Sequence, residues 1–221
     1  MTIVAPSILS ADFAALGRDI ALVEQAGAQW LHLDIMDGHF VPNLTIGPAV
    51  VQSIRPRTGL FLDAHLMLEN PENYLETFAR AGADLLCVHL ETLRTPAAVL
   101  RQIKALGKKA GLAVNPDKKF ADVRPYLSEL DLVLFMSVWP GFAGQKFIPA
   151  VLPEIQQCRE YIKASQLPVD IEIDGGINRE TAGQALNAGA NVLAAGSAIY
   201  RSADPAAEVK YYLAARPAEV V

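Results

Sequence analysis

Eight short runs of apolar, β-favouring residues recur along the 221-residue chain, at about 3–9, 30–36, 60–67, 85–90, 109–115, 132–138, 169–174 and 191–197. Between them lie stretches with helical spacing: ADFAALGRDIALVEQAGA, NPENYLETFARAGA, TPAAVLRQIKALG, IPAVLPEIQQCREYIKAS and NRETAGQALNAGA. Weaker helical segments fill the remaining gaps. Three of the stretches end in Ala-Gly-Ala, at 26–28, 81–83 and 188–190, each just before a run. Glycine belongs there because it stops a helix in the left-handed conformation. Strict strand–helix alternation with short connections, at this length, predicts an α/β chain folded as a single (β/α)8 barrel over residues 1–221. A doubly wound open sheet is the competitor, but its first strand–helix turn would be PSILSADF, which lacks the G-x-G-x-x-G of a dinucleotide site.

With 52% hydrophobic and 19% charged residues the chain can bury a large core. Its formal charge is −5 and its 19 basic residues are scattered, which leaves no footprint for nucleic acid or an anionic membrane and points to a small-molecule partner. No stretch reaches the roughly 18 uncharged apolar residues of a membrane span, and MTIVAPSILSADF lacks a basic region followed by a long apolar run. A soluble cytoplasmic protein is expected. Cys87 and Cys158 are far apart and outside any C-x-x-C, as suits reduced thiols.

The run WLHLDIM places Leu31, Leu33 and Ile35 on one face and His32, Asp34 and Met36 on the other. In a barrel the second face points inward, and polar residues at strand C-terminal ends form the active site. DAHLM puts His65 and Met67 at the end of the third run, and DIEIDGGIN puts Asp174 at the end of the seventh. His32, Asp34, His65 and Asp174 therefore converge as a nitrogen and oxygen set for a divalent ion such as zinc, manganese, iron or cobalt, among which ligand type does not select. The bland reading makes them hydrogen-bonded core histidines and helix caps, but four such groups at strand ends disfavour it, since buried charges persist when paired or metal-bound. His89, in CVHLE, is inward on the same alternation and is read as core or as a neighbour of the ligands.

Glycines 141, 144, 175, 176 and 196 fall on the loops after the sixth, seventh and eighth runs, where backbone N–H groups can approach a phosphate. Without a Walker-type loop, the ligand is a phosphorylated metabolite. No lysine sits on an inward strand end for a Schiff base, and no G-x-S-x-G elbow supplies a serine nucleophile. Metal-assisted proton transfer remains: a divalent ion stabilises an enediolate while two carboxylates on opposite sides remove and deliver a proton, inverting a stereocentre. Met36, Met67 and Met136, from three strand ends, are read as an apolar ring that excludes water.

APSILSADF, LHLDIMDGHFVPNLTIGP, DAHLML, MSVWPGFAGQKF, DIEIDGGIN and AGSAIY, in this order, resemble the ribulose-phosphate 3-epimerase family across essentially the whole chain. The resemblance implies a barrel that interconverts D-ribulose 5-phosphate and D-xylulose 5-phosphate at C3, with a bound divalent metal, zinc placed first and manganese, iron or cobalt after it. It implies that Asp34 and Asp174 are the two acid/base groups and that His32, Asp34, His65 and Asp174 hold the metal. Ser7, His65, the loop Gly141, Phe142, Ala143 and Gly144, then Gly175, Gly176, Gly196 and Ser197, are implied to contact the substrate and its phosphate. A homo-oligomer is also implied. Two positions depart from the family pattern: Trp139 stands where Asn or Glu is usual, and Ala143 replaces a glycine, at a cost of about 1 kcal/mol if position 143 needs positive φ. A hexulose-phosphate 3-epimerase and a non-catalytic phosphometabolite-binding barrel are the alternatives.

Overall fold

The computed structural model describes residues 2–217. Eight strands, β1 (Ile3–Pro6), β2 (Trp30–Met36), β3 (Phe61–Met67), β4 (Leu85–His89), β5 (Lys109–Val114), β6 (Leu132–Met136), β7 (Asp170–Asp174) and β8 (Val192–Ala195), lie in one sheet in the order β1-β8-β7-β6-β5-β4-β3-β2. All seven ladders are parallel. A parallel bridge between Ser7 and His32 joins the two ends of this order, so the sheet is a nearly closed barrel and not an open doubly wound one. Around it run α1 (Leu16–Gln25), α2 (Pro48–Ile54), α3 (Leu75–Ala81), α4 (Pro96–Ala105), α5 (Phe120–Val123), α6 (Leu152–Ala164), α7 (Arg179–Ala188), α8 (Ser197–Tyr200) and α9 (Pro205–Ala214).

The period-2 alternation divides the core in two. Leu31, Leu33, Ile35, Leu62, Ala64 and Leu66 face outward and pack under the helices. Trp30, Leu85, Cys87, Leu132, Leu134 and Val192 fill the barrel interior, whose floor carries Trp30 and Phe61 with ring centroids 4.5 Å apart. Above that floor the interior turns polar: His32, Asp63, His65, His89 and Glu172 are all fully buried. Cys87 and Cys158 are free and buried. Among the described residues no helix is long and apolar enough to cross a membrane.

The Ala-Gly-Ala stops act as expected. Gly82 and Gly189 end α3 and α7 in the left-handed conformation at φ 108° and 113°. Arginines lie over both: a Cβ at Gly82 would sit 2.6 Å from Arg55 Cγ, and one at Gly189 2.6 Å from Arg159 Cβ. Arg159 also donates to the Gly189 carbonyl at 2.7 Å, satisfying an end group that α7 leaves open. Three strands end earlier than the sequence expectation. β1 stops at Pro6 because Ile8–Ser10 forms a 3-10 turn, β8 stops at Ala195 because α8 starts at Ser197, and β6 stops at Met136, where its last ladder bond runs from the Ser137 amide to the Asp174 carbonyl at 2.7 Å.

At the rim, Asp37 organises the loop after β2. Its Oδ1 accepts from the amides of His39 at 2.8 Å and Phe40 at 3.0 Å, and its Oδ2 accepts from Glu69 at 2.8 Å, beyond the end of β3. Burial opposes the carboxylate, but these donors hold it below its usual 3.8. Asp37→Ala is expected to lower stability by about 1 kcal/mol at neutral pH. Because the folded-state pKa is depressed, the carboxylate's contribution is present above pH 3.8 and fades as pH falls through the folded value, so the urea midpoints of wild type and variant should differ at neutral pH and converge at strongly acidic pH.

Candidate active site and metal centre

Register carries the site. In the β2–β3 ladder Asp34 pairs with His65 and Met36 with Met67, and in the β6–β7 ladder Met136 pairs with Asp174. The inward positions at these strand ends therefore share one level of the barrel. His32 Nε2 lies 3.2 Å from His65 Nδ1, 3.5 Å from Asp34 Oδ1 and 3.9 Å from Asp174 Oδ2, and His65 Nδ1 lies 3.5 Å from Asp34 Oδ1. One donor atom from each of the four residues falls within 4.8 Å of the others.

This donor set fits a divalent cation. Ligand bonds of about 2.1 Å in a tetrahedral arrangement place donor atoms about 3.4 Å apart, close to the separations found here. The far nitrogens are already engaged, His32 Nδ1 by Asp63 Oδ2 at 2.6 Å and His65 Nε2 by His89 Nε2 at 2.8 Å. That leaves His32 Nε2 and His65 Nδ1, which face each other, as the nitrogens open to a cation.

The electrostatics separate the two rim acids. Burial works against the Asp34 carboxylate, yet His32 and His65 outweigh it and hold Asp34 well below the usual range. Ser7 Oγ donates to Asp34 Oδ2 at 2.6 Å and fixes its orientation. Asp174 goes the other way: burial first, then the charge of Asp34, push it up to about 7. Burial likewise depresses His65 to about 4, whereas for His32 it is overcome by Asp34, Asp63 and Glu172, which raise it well above 6.5.

Above this cluster opens a cavity. Asp34 and Asp174 line it, with the buried Met36, Met67 and Met136. Ser7, Gly141, Phe142, Ala143 and Gly144 reach it from the loops after β1 and β6, and Gly175, Gly176, Gly196 and Ser197 from those after β7 and β8. His65 is fully buried beneath and does not line it. Ala143 is not left-handed, since Gln166 is the one non-glycine residue with positive φ among those described, so the conditional strain does not arise. Trp139 is 52% exposed outside the cavity, and its carbonyl accepts from the Gln145 side chain at 2.6 Å.

The model of the ribulose-phosphate 3-epimerase family matches residues 3–200. The chain belongs to that family. It is 51% identical over 202 residues to the ribulose-phosphate 3-epimerase of Bacillus subtilis (strain 168), an alignment covering 91% of this chain and 93% of that one. It is 50% identical over 202 residues to the Synechocystis ribulose-phosphate 3-epimerase, covering 90% and 88%. In fold alone it is also similar to a crystal structure of 3-hexulose-6-phosphate synthase, with TM-score 0.69 and 21% identity over 98% of this chain and 100% of that one.

Three groups of this epimerase-family barrel escaped the sequence reading. Asp63 and Glu172 lie inside the barrel below the rim, and Glu172 Oε1 is 3.2 Å from His32 Nδ1. Burial, then Asp63 beside it, push the Glu172 carboxyl well above its ordinary value. Ser137 ties down the end of β7, its hydroxyl donating to the carbonyls of Asp174 at 2.9 Å and Gly175 at 2.7 Å. The signal for the acids was present: Asp63 shares a face with His65, and Glu172 shares one with Asp174.

Proposed function

We propose that the chain interconverts D-ribulose 5-phosphate and D-xylulose 5-phosphate by inverting C3, with Asp34 and Asp174 exchanging the C3 proton. One observation carries the reading: two carboxylates from opposite parts of the strand order, Asp34 and Asp174, meet at one cation-sized donor cluster beneath the cavity that both of them line. Inversion needs one group to take the C3 proton and a second, on the other side of that carbon, to return one, and the two carboxylates supply that pair. The strand order separates β7 from β2 by β8 and β1, so the two acids approach the cavity from different sides. The homologous epimerases named above support the same assignment.

A divalent cation held by His32, Asp34, His65 and Asp174, zinc first on the family resemblance with manganese, iron or cobalt after it, would supply the positive charge that stabilises an enediolate. Ser7 keeps Asp34 aimed. The three methionines cover the cavity with side chains that carry no acidic proton and keep water from quenching the carbanion on the wrong face. Gly176, Gly196 and Ser197 line the cavity, and their backbone N–H groups would hold the phosphate, anchoring the sugar with C3 between the acids. Turnover of five- and six-carbon ketulose phosphates tests the substrate: kcat/KM should favour ribulose 5-phosphate by at least about tenfold. Preference for the six-carbon substrate would overturn the pentulose assignment.

A further inference from the structure

Two acids that the proposed proton transfer does not use lie on the far side of His32 from the cavity. Asp63 and Glu172 are fully buried on β3 and β7. Asp63 Oδ2 makes the short contact, 2.6 Å to His32 Nδ1, with Glu172 Oε1 at 3.2 Å from the same nitrogen. Asp63 Oδ1 and both Glu172 oxygens have no hydrogen-bond partner among the described residues. Buried carboxyl oxygens without donors cost stability, so packing does not explain why an acid occupies position 63.

The imidazole explains it. A neutral imidazole carries one N–H, and an acceptor at one nitrogen decides that the other keeps its lone pair. In the neutral ring that a cation requires, with Asp63 accepting from Nδ1, the lone pair falls on Nε2, the atom 3.2 Å from His65 Nδ1 and 3.5 Å from Asp34 Oδ1. The second imidazole is backed in a similar way. His65 Nε2 meets His89 Nε2 at 2.8 Å, and His89 Nδ1 meets Glu91 Oε2 at 3.3 Å. Glu91 is itself anchored, its Oε1 accepting from the Asn115 amide at 2.8 Å. Each of the two imidazoles is thus backed, at its far nitrogen, by a chain that ends in an acid.

We infer that Asp63 is a positioning residue of the cation centre, fixing the His32 tautomer that turns Nε2 to the cation; this rests on the four rim residues being the cation site. Asp63→Asn keeps the side chain's shape and removes its charge. Zinc affinity, measured by competition with a chromophoric chelator, should fall about 10–100-fold in this variant, while circular dichroism shows the fold retained. The cobalt(II)-substituted variant should show a changed visible spectrum. Wild-type protein loaded with zinc gives a readout that needs no variant: long-range 1H–15N spectra should find the His32 proton on Nδ1. Zinc affinity equal to wild type in Asp63→Asn, or a zinc-loaded wild type with the His32 proton on Nε2, overturns the inference alone. A wild-type protein that binds neither zinc nor cobalt overturns the cation site, and the inference with it.

Discussion

Asp174→Asn is expected to abolish epimerisation, lowering kcat by at least about 10³-fold, near 4 kcal/mol of barrier. The carboxyl lies 3.9 Å from His32 Nε2 and lines the cavity, where under the proposed reaction it is the proton-exchanging partner of Asp34. An amide of the same shape neither delivers nor accepts that proton. Asp34 is left with its Ser7 hydrogen bond and its two histidine neighbours, so one face of the substrate is still served. In deuterated water the variant should therefore incorporate deuterium at C3 without forming the epimer, provided that it retains its cation. Proton NMR of recovered substrate together with metal analysis of the variant reads both quantities. Unchanged turnover would remove Asp174 from the reaction.

Gly175→Ala should cost about 3 kcal/mol or more of stability, a fall in Tm of about 6–12 °C for a chain of this length. Gly175 has φ +116°, which an L side chain rarely adopts, and a Cβ there would meet Val138 Cγ2 at 2.5 Å and the Val138 amide nitrogen at 2.9 Å. The neighbour cannot easily yield. Val138 is buried, and Ser137, next to it, is bonded through its hydroxyl to the carbonyls of Asp174 and Gly175. Relief would have to move the ends of β6 and β7 together, displacing Asp174 from the cluster. Thermal unfolding combined with kcat measured well below the new Tm separates the two consequences. A variant as stable and as active as wild type would show that the loop has room that the geometry denies it.

The barrel was readable because its signals are local and repeated. Apolar runs fixed the strands, and the Ala-Gly-Ala stops at Gly27, Gly82 and Gly189 mark helix ends whose glycines take positive φ. The same alternation that placed His32 and Asp34 inward places His65 and Asp174 at their level, and the structure brings these four together. Less was readable where a contact depends on which strand faces which across the interior. Asp63 is the register partner of His32 on the next strand, but Glu172 comes from β7, and only closure of the barrel brings it to His32 Nδ1 as well. Ser137 was invisible for a related reason, since its partners are carbonyls of another strand. The rim loops were hardest: sequence marked Ala143 and Trp139 as departures, but only the backbone shows that Ala143 escapes positive φ and that Trp139 lies outside the cavity.

The central claim is that His32, Asp34, His65 and Asp174 gather one cation where a C3 proton is exchanged. Conversion of ribulose 5-phosphate to xylulose 5-phosphate should be followed in protein stripped with a strong chelator and then titrated with zinc, manganese, iron(II) or cobalt. The account predicts negligible turnover after stripping, and recovery that saturates at one cation per chain. Full turnover in protein shown by metal analysis to hold no cation would contradict it.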